Sequence, residues 1–241
     1  MLIDSLQQET HVWLTIPESV QDDRVVKRLE AILSNEELDR YRRFHFPEDR
    51  HRYLVSHALV RNTLSKYIEI QPADWHFSHG KRGRPEIANP DIPPVRFNLT
   101  HTAGLAACVV ALGQECGIDA EKITERHNPL NVARRMFSEA EYAQLKTLRD
   151  REQLEYFFSR WTLREAYVKA KGIGISFPTR KLTFTVESDD SIGVSFHSDI
   201  ADKNENWKFK LLRPTKQHVT AIAIGRTDKT EKNVVTRFSD V

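Results

Sequence analysis

Cysteine is nearly missing from this chain, and so is any surplus of charge. Two cysteines in 241 residues, Cys108 and Cys116, cannot make a disulfide framework, and their spacing is not that of a Cys-x-x-Cys metal or redox pair. Cys108 lies within an apolar run and reads as a small core hydrophobe. Lysine and arginine number 36 against 34 aspartates and glutamates, a balance that gives no general attraction to nucleic acid. No apolar run approaches the roughly 18 residues that a membrane-spanning helix needs. The opening residues Met1-Leu2-Ile3-Asp4-Ser5 lack the basic segment and apolar block of a signal peptide, so a cytoplasmic, soluble protein is expected. The 10 histidines contain no His-x-x-x-His or His-Glu-x-x-His pairing, which removes the usual zinc patterns. Any functional charge must therefore be local.

The hydrophobic pattern divides the chain into two halves of similar plan. Residues 11–16 alternate as a β-strand does. Ser34-Asn35-Glu36-Glu37 is a capping box before a short charged helix, and Pro47 opens a longer one to about residue 67, with Tyr53, Leu54, His57, Ala58, Val60 and Leu64 at helical spacing. A strand is expected at 75–79, and a turn-rich basic loop follows at 80–85, with Lys81 and Arg82 facing solvent. Strands are expected at 95–100, 105–111 and 117–121, with His101-Thr102-Ala103-Gly104 as a turn or helix start.

The second half opens with another capping box, Ser138-Glu139-Ala140-Glu141, and capping alone accounts for Glu141. The longest helix runs from Arg151 to about Lys171 and is ended by Gly172-Ile173-Gly174. Short strands follow at 182–186, 192–197, 207–212 and 219–224, and the polar tail reads as frayed. No residue-level repeat is visible, but helices followed by strands in each half predict an α/β (α+β) fold of two similar subdomains in a pseudo-two-fold arrangement. The expected boundaries are 1–112, 113–226 and a polar tail at 227–241. A built-in pair of halves favours a monomer.

One constellation carries chemistry. Asp119 and Glu121 are two apart in a strand and leave one face, whereas Glu165 and Lys169 are four apart in a helix and share a stripe. If the two elements pack, three carboxylates and one ammonium converge, a donor set suited to Mg²⁺ or Mn²⁺ beside a phosphate. The bland readings are solvated edge carboxylates and an exposed i,i+4 ion pair worth about 0.3–0.5 kcal/mol. Against them, the helix bears Tyr156, Phe157, Phe158, Trp161 and Tyr167, so much of its surface is buried, and charges on a buried helix need partners. Phosphoryl chemistry follows. A Mg²⁺-dependent phosphodiesterase fits the same residues, but no further carboxylate–histidine group suggests the second metal it would use.

Five segments in register give a more specific reading. Gly83-Arg84-Pro85, Phe97-Asn98-Leu99-Thr100-His101-Thr102, Gly117-Ile118-Asp119-Ala120-Glu121, Phe137-Ser138-Glu139-Ala140-Glu141 and Trp161-Thr162-Leu163-Arg164-Glu165-Ala166-Tyr167-Val168-Lys169 together resemble the Sfp-type (group II) 4′-phosphopantetheinyl transferases. Weaker similarity runs through residues 40–44 and 50–52. The resemblance implies that family's two-subdomain fold, with coenzyme A and Mg²⁺ between the halves. It also implies transfer of the 4′-phosphopantetheine arm to a serine of an acyl or peptidyl carrier protein, releasing 3′,5′-ADP.

By position, Asp119, Glu121 and Glu165 are the implied metal ligands, with Glu165 also the candidate general base. Lys169, Arg84 and His101 are implied phosphate contacts. Arg40 and Arg52 match positions at the 3′-phosphate and adenine end, and Thr100 a position near the nucleotide. Arg84 and Arg164 stand where the family has lysine, keeping charge but replacing a point charge by a planar fork. Glu37 stands where some relatives have a basic residue. The Met136-Phe137 segment and the aromatic helix are the expected carrier-docking rim. A binding module without activity is the non-enzymatic alternative.

Overall fold

Capping chemistry fixes several of the helix starts. In the computed structural model, which describes residues 2–80, 82–125, 128–174, 176–226 and 232–239, strand β1 (Glu9–Thr15) comes first. Asp22 then accepts from the Arg24 amide at 2.7 Å and starts α1 (Asp23–Ala31). Ser34 and Glu37 exchange both capping-box bonds at the head of α2 (Asn35–Arg43). Pro47 opens α3 (Pro47–Leu64), a position where a missing N–H breaks no helical bond. β2 (Phe77–His79), β3 (Pro85–Ile87), β4 (Val95–Thr102) and β5 (Leu105–Leu112) follow.

A second series begins with β6 (Cys116–Lys122). Asn128 caps α4 (Pro129–Met136), and Ser138 with Glu141 completes a second capping box on α5 (Glu139–Thr147). The long α6 (Asp150–Lys171) stops at Gly172, whose φ of 64° is left-handed. The strands β7 (Leu182–Val186), β8 (Ile192–Phe196), β9 (Trp207–Thr215), β10 (His218–Gly225) and β11 (Asn233–Phe238) complete the chain.

These elements form two units, one of the chain up to Gly113 together with β11, the other starting at Gln114. In the first, a sheet in the order β11-β1-β5-β4 is accompanied by the β2-β3 hairpin. β5 is apolar along its whole length and buried from Leu105 to Ala111. α3 covers this sheet, burying Leu59, Val60 and Leu64 against Phe97, Cys108 and Val110. A smaller cluster of Leu29, Leu33, Tyr53 and Leu54 packs α1 and α2 onto the same helix. In the second unit the sheet runs β6-β10-β9, antiparallel throughout, beside the β7-β8 hairpin. α6 lies on it, and Phe137, Phe157, Leu163, Tyr167 and Phe209 fill the core between. Cys108 and Cys116 are buried free thiols, and among the described residues no helix is long and apolar enough to cross a membrane.

Several expectations change. α1 and α4 were not anticipated, because each is a single short amphipathic segment of eight or nine residues. Residues 101–104 begin no helix: His101 and Thr102 belong to β4, and the chain turns into β5 at Gly104, φ 87°. The tail does not simply fray, since β11 pairs in parallel with β1 from Asn233 opposite Glu9 to Phe238 opposite Leu14. Lys81 and residues 227–231, 240 and 241 lie outside the described residues.

Candidate active site

A missing side chain brings the predicted strand and helix together. A Cβ on Gly117 would lie 2.1 Å from the Ala166 carbonyl oxygen and 2.4 Å from the Ala170 amide nitrogen, so β6 rests backbone-to-backbone on α6. Ala166 and Ala170 are themselves fully buried and small enough to permit this. Strand periodicity then places Gly117, Asp119 and Glu121 on the helix-facing side. The neighbours of the two alanines, Glu165 and Lys169, flank the contact.

The cross-element contacts confirm this facing. Lys169 Nζ donates to Asp119 Oδ1 at 2.7 Å, and Trp161 Nε1 donates to Glu121 Oε1 at 3.1 Å. The lysine predicted to lie over Glu165 thus reaches across to the strand. Asp119 is buried, and Glu121, Glu165 and Lys169 are half-buried.

Electrostatics make the cluster unusual. Burial, then the charge of Asp119, pushes the Glu121 carboxyl up to about 7, although Trp161 and Lys169 pull the other way. Burial and Asp119 also raise Glu165. Both acids feel the charge of Asp119, and the one ammonium does not cancel their rise. Among the described residues no group of three histidine, cysteine or acidic side chains is closed around a common point in metal-holding geometry. The donor set nonetheless fits a hard divalent cation: three carboxylates on facing elements, two of them raised by burial and by the charge of Asp119, with one lysine among them.

Arg164 does not join them. Successive helical residues point about 100° apart, and Arg164 turns into the core, 1% exposed. Its guanidinium pairs with Glu141 and donates to the carbonyls of Arg160 at 3.0 Å, Met136 at 3.2 Å and Leu182 at 2.9 Å. Glu141 in turn accepts from the Phe184 amide at 3.0 Å as well as capping α5. The charge expected beside Glu165 is instead an internal strut joining α5, α6 and β7, and Glu141 does more than cap.

The first unit has its own concavity, a cavity of about 750 Å³. Arg40 contributes to its lining, as do Gly83 and Pro85 on either side of Arg84. Tyr53, His57 and Glu37 also line it, residues to which the sequence assigned no ligand role. His57 stacks on Tyr53 at 3.9 Å between centroids, and the Arg40 guanidinium lies 5.6 Å from the same ring centre. Of the other expected contacts, Arg52 pairs with Asp49 at 2.9 Å and Arg84 with Glu86 at 3.2 Å. Thr100 is buried in β4 and His101, beside it, is exposed. Sequence reasoning missed Gly117 and Trp161 as site-forming residues. Their signals were a glycine two before Asp119 in a strand and an indole one turn before Glu165.

A mixed α/β chain with a buried acidic cluster beside a lysine belongs to the class of proteins equipped for phosphoryl transfer. Comparison with known proteins narrows the class. Residues 115–223 match the 4′-phosphopantetheinyl transferase superfamily, and residues 22–112 match the 4′-phosphopantetheinyl transferase N-terminal family. The 4′-phosphopantetheinyl transferase HetI of Nostoc sp. is 36% identical over 175 residues, 71% of this chain and 72% of that one. The 4′-phosphopantetheinyl transferase Sfp of Bacillus subtilis is 32% identical over 168 residues, 70% and 73% respectively. Among solved structures, a holo-(acyl-carrier-protein) synthase from Bacillus anthracis in complex with CoA (3′,5′-ADP) aligns at 19% identity and a TM-score of 0.38, covering 47% of this chain and 96% of that one. The chain belongs to the 4′-phosphopantetheinyl transferase superfamily and is a transferase of the Sfp type.

Proposed function

We propose that this protein moves the 4′-phosphopantetheine arm of coenzyme A onto a serine hydroxyl of an acyl or peptidyl carrier protein, releasing 3′,5′-ADP, with Mg²⁺ or Mn²⁺ as cofactor. The observation that carries this is the facing of Asp119 and Glu121 on β6 by Glu165 and Lys169 on α6, in a chain of this family. The cation, held by Asp119, Glu121 and Glu165, would supply charge neutralisation for a pyrophosphate.

The protein's own groups do the rest. Lys169, already aimed at the acidic cluster, shifts to a phosphate oxygen and offsets charge that builds there. The serine oxygen bonds to the phosphorus that carries the pantetheine arm, and the bond from that phosphorus to the nucleotide's bridging oxygen breaks. Phosphoryl transfer needs little covalent help, so positioning dominates. Glu165, on the same α6 stripe as Lys169, is the carboxylate assigned to accept the serine proton. Arg84, His101 and Thr100 serve as coenzyme A contacts, with Arg52 and Arg40 at the nucleotide end. For Arg40 the cavity supports the assignment; for the others the support is their place in the motifs. The half-buried Met136 beside Phe137 is the proposed carrier-docking rim. A monomer working in the cytoplasm completes the reading, supported by two buried cysteines kept as free thiols.

The test is to mix the protein with coenzyme A, Mg²⁺ and a panel of apo carrier proteins and weigh the intact carriers. A gain of one phosphopantetheine on serine, lost in Asp119→Ala and Glu165→Ala, is expected. Hydrolysis of coenzyme A without a carrier would mark a phosphodiesterase, and binding without either reaction an inactive module.

A further inference from the structure

Glu37 lines the cavity of the first unit, yet its carboxylate faces inward. Oε2 accepts from the Ser34 amide at 2.8 Å and from Arg61 Nε and Nη2 at 2.9 and 2.6 Å. Oε1 lies 2.9 Å from His57 Nδ1. Arg61 is 1% exposed and also donates to the carbonyls of Pro72 at 2.9 Å and Trp75 at 3.1 Å, with its guanidinium 5.2 Å from the Phe77 ring centre. One carboxylate therefore ties the head of α2 to α3, to the segment before β2 and to the imidazole stacked on Tyr53.

We infer that Glu37 is a positioning residue for the ligand in this cavity, acting through Arg40 and His57 rather than touching the ligand itself. The inference rests on the coenzyme A reading above. Arg40 lies three residues after Glu37 on α2, on the same side of the helix, so the anchor that fixes the rotation of α2 also fixes where Arg40 stands. An ionised carboxylate only accepts hydrogen bonds, so His57 must present Nδ1–H to Glu37. The orientation of the imidazole ring is thereby set. A basic residue at this position would meet a phosphate directly. Here the acidic residue arranges Arg40 to do so and fixes the imidazole beside it.

The geometry also excludes the simplest alternative, an acidic group that merely weakens anion binding. Glu37 is already matched by a buried guanidinium at hydrogen-bonding distance, so its charge does not project freely into the cavity.

The experiment measures kcat and KM for coenzyme A at saturating carrier, with calorimetric coenzyme A binding, for wild type, Glu37→Gln, Arg40→Ala and the double variant. Glu37→Gln keeps the size of the side chain, and its melting curve reports folding directly. Expected is a rise of about tenfold in both KM and Kd for coenzyme A with kcat within about twofold, the signature of lost binding rather than lost chemistry. The double variant should lose less than the sum of the two single losses, because neighbours acting through one another are not additive. Unchanged or tighter binding in Glu37→Gln overturns the inference, as does a loss confined to kcat, or full additivity with Arg40→Ala. If Glu37→Gln fails to fold, Arg61→Lys, which keeps the buried charge but loses the fork, must show the same split, and an unaltered KM there overturns the inference equally. Failure of the wild type to bind coenzyme A would overturn the reading beneath it, whereas normal wild-type binding with an unaffected variant overturns this inference alone.

Discussion

The two units run through the same plan and spend their buried polar groups differently. Each has a strand, three helices, a short hairpin and two longer strands, and each sheet ends in the same order, β1-β5-β4 in one and β6-β10-β9 in the other. Each contains the same strut: a capping-box glutamate joined to a buried arginine, Glu37 to Arg61 24 residues on and Glu141 to Arg164 23 residues on. The repeat is thus written in topology and in one charge pair, not in residue identity along the chain.

What differs is the region where the first strand meets the third helix. In the second unit that region holds Asp119, Glu121, Glu165 and Lys169, and Glu121 and Glu165 are left with raised proton affinity. In the first unit β1 offers His11 and Trp13, and Tyr67, just beyond α3, closes a network. Trp13 Nε1 donates to the tyrosine oxygen at 2.7 Å, the hydroxyl donates to His11 Nδ1 at 2.7 Å, and His11 Nε2 donates to Glu9 at 2.7 Å. All three rings are buried. Burial holds His11 below its ordinary value, keeping it neutral, and raises the Tyr67 hydroxyl. One copy of the scaffold closes its polar groups into a network around a neutral imidazole, while the other gathers three carboxylates beside a single lysine, with burial raising two of them.

Removing the struts is the most damaging way to test that equivalence. Arg164→Met and Arg61→Met each strand a carboxylate among apolar and backbone groups, and each should cost about 3–5 kcal/mol in urea unfolding. A penalty below about 1 kcal/mol in either one would show that the two struts are not equivalent. Next in size, Glu165→Gln should lower transfer by about 10²–10³-fold while leaving the melting temperature unchanged or higher, since burial and Asp119 both disfavour its charge. His11→Asn should do the reverse, lowering stability while sparing turnover per folded molecule. If both substitutions moved stability alone, the division between site and structure would fail. Smaller again, Gly117→Ala forces β6 away from α6. We expect about 1–3 kcal/mol of overpacking strain and a separation of Lys169 from Asp119, read as a fall in transfer at temperatures where the variant is still folded.

Much of this arrangement could be read from the chain, and the omissions share a cause. The capping boxes at Ser34 and Ser138, the long helix ended by Gly172 and the Asp119/Glu121 strand are local signals, decided within a few residues. β11 was missed because a short, half-exposed segment at the end of a polar tail becomes a strand only beside β1, more than 200 residues away in sequence. Arg61 and Arg164 were missed as struts for the same reason, since each glutamate lies on the preceding helix, more than 20 residues back. The sequence kept Arg164 at the site because its charge was preserved. Helical rotation sends that charge into the core instead, and Lys169, rather than pairing along its own helix, crosses to the strand.

The gentlest test separates the two capping-box glutamates by pH. Burial alone would raise the Glu37 carboxyl, but hydrogen bonds from His57, Ser34 and Arg61 and the His57 charge together hold it near 2, against an ordinary value of 4.5. An unfolded chain takes up that proton below about pH 4.5, whereas the folded chain resists until about pH 2. The stability this group contributes is therefore complete above pH 4.5 and drains away as pH falls, by roughly 2 kcal/mol at pH 3. Glu37→Gln should flatten this acid limb of the stability curve while leaving its neutral shape alone, and urea unfolding between pH 3 and 6 would show it. An acid limb identical to wild type would mean that Glu37 is not held ionised by its partners. The anchoring of α2, and the cavity wall built on it, would then need a different cause.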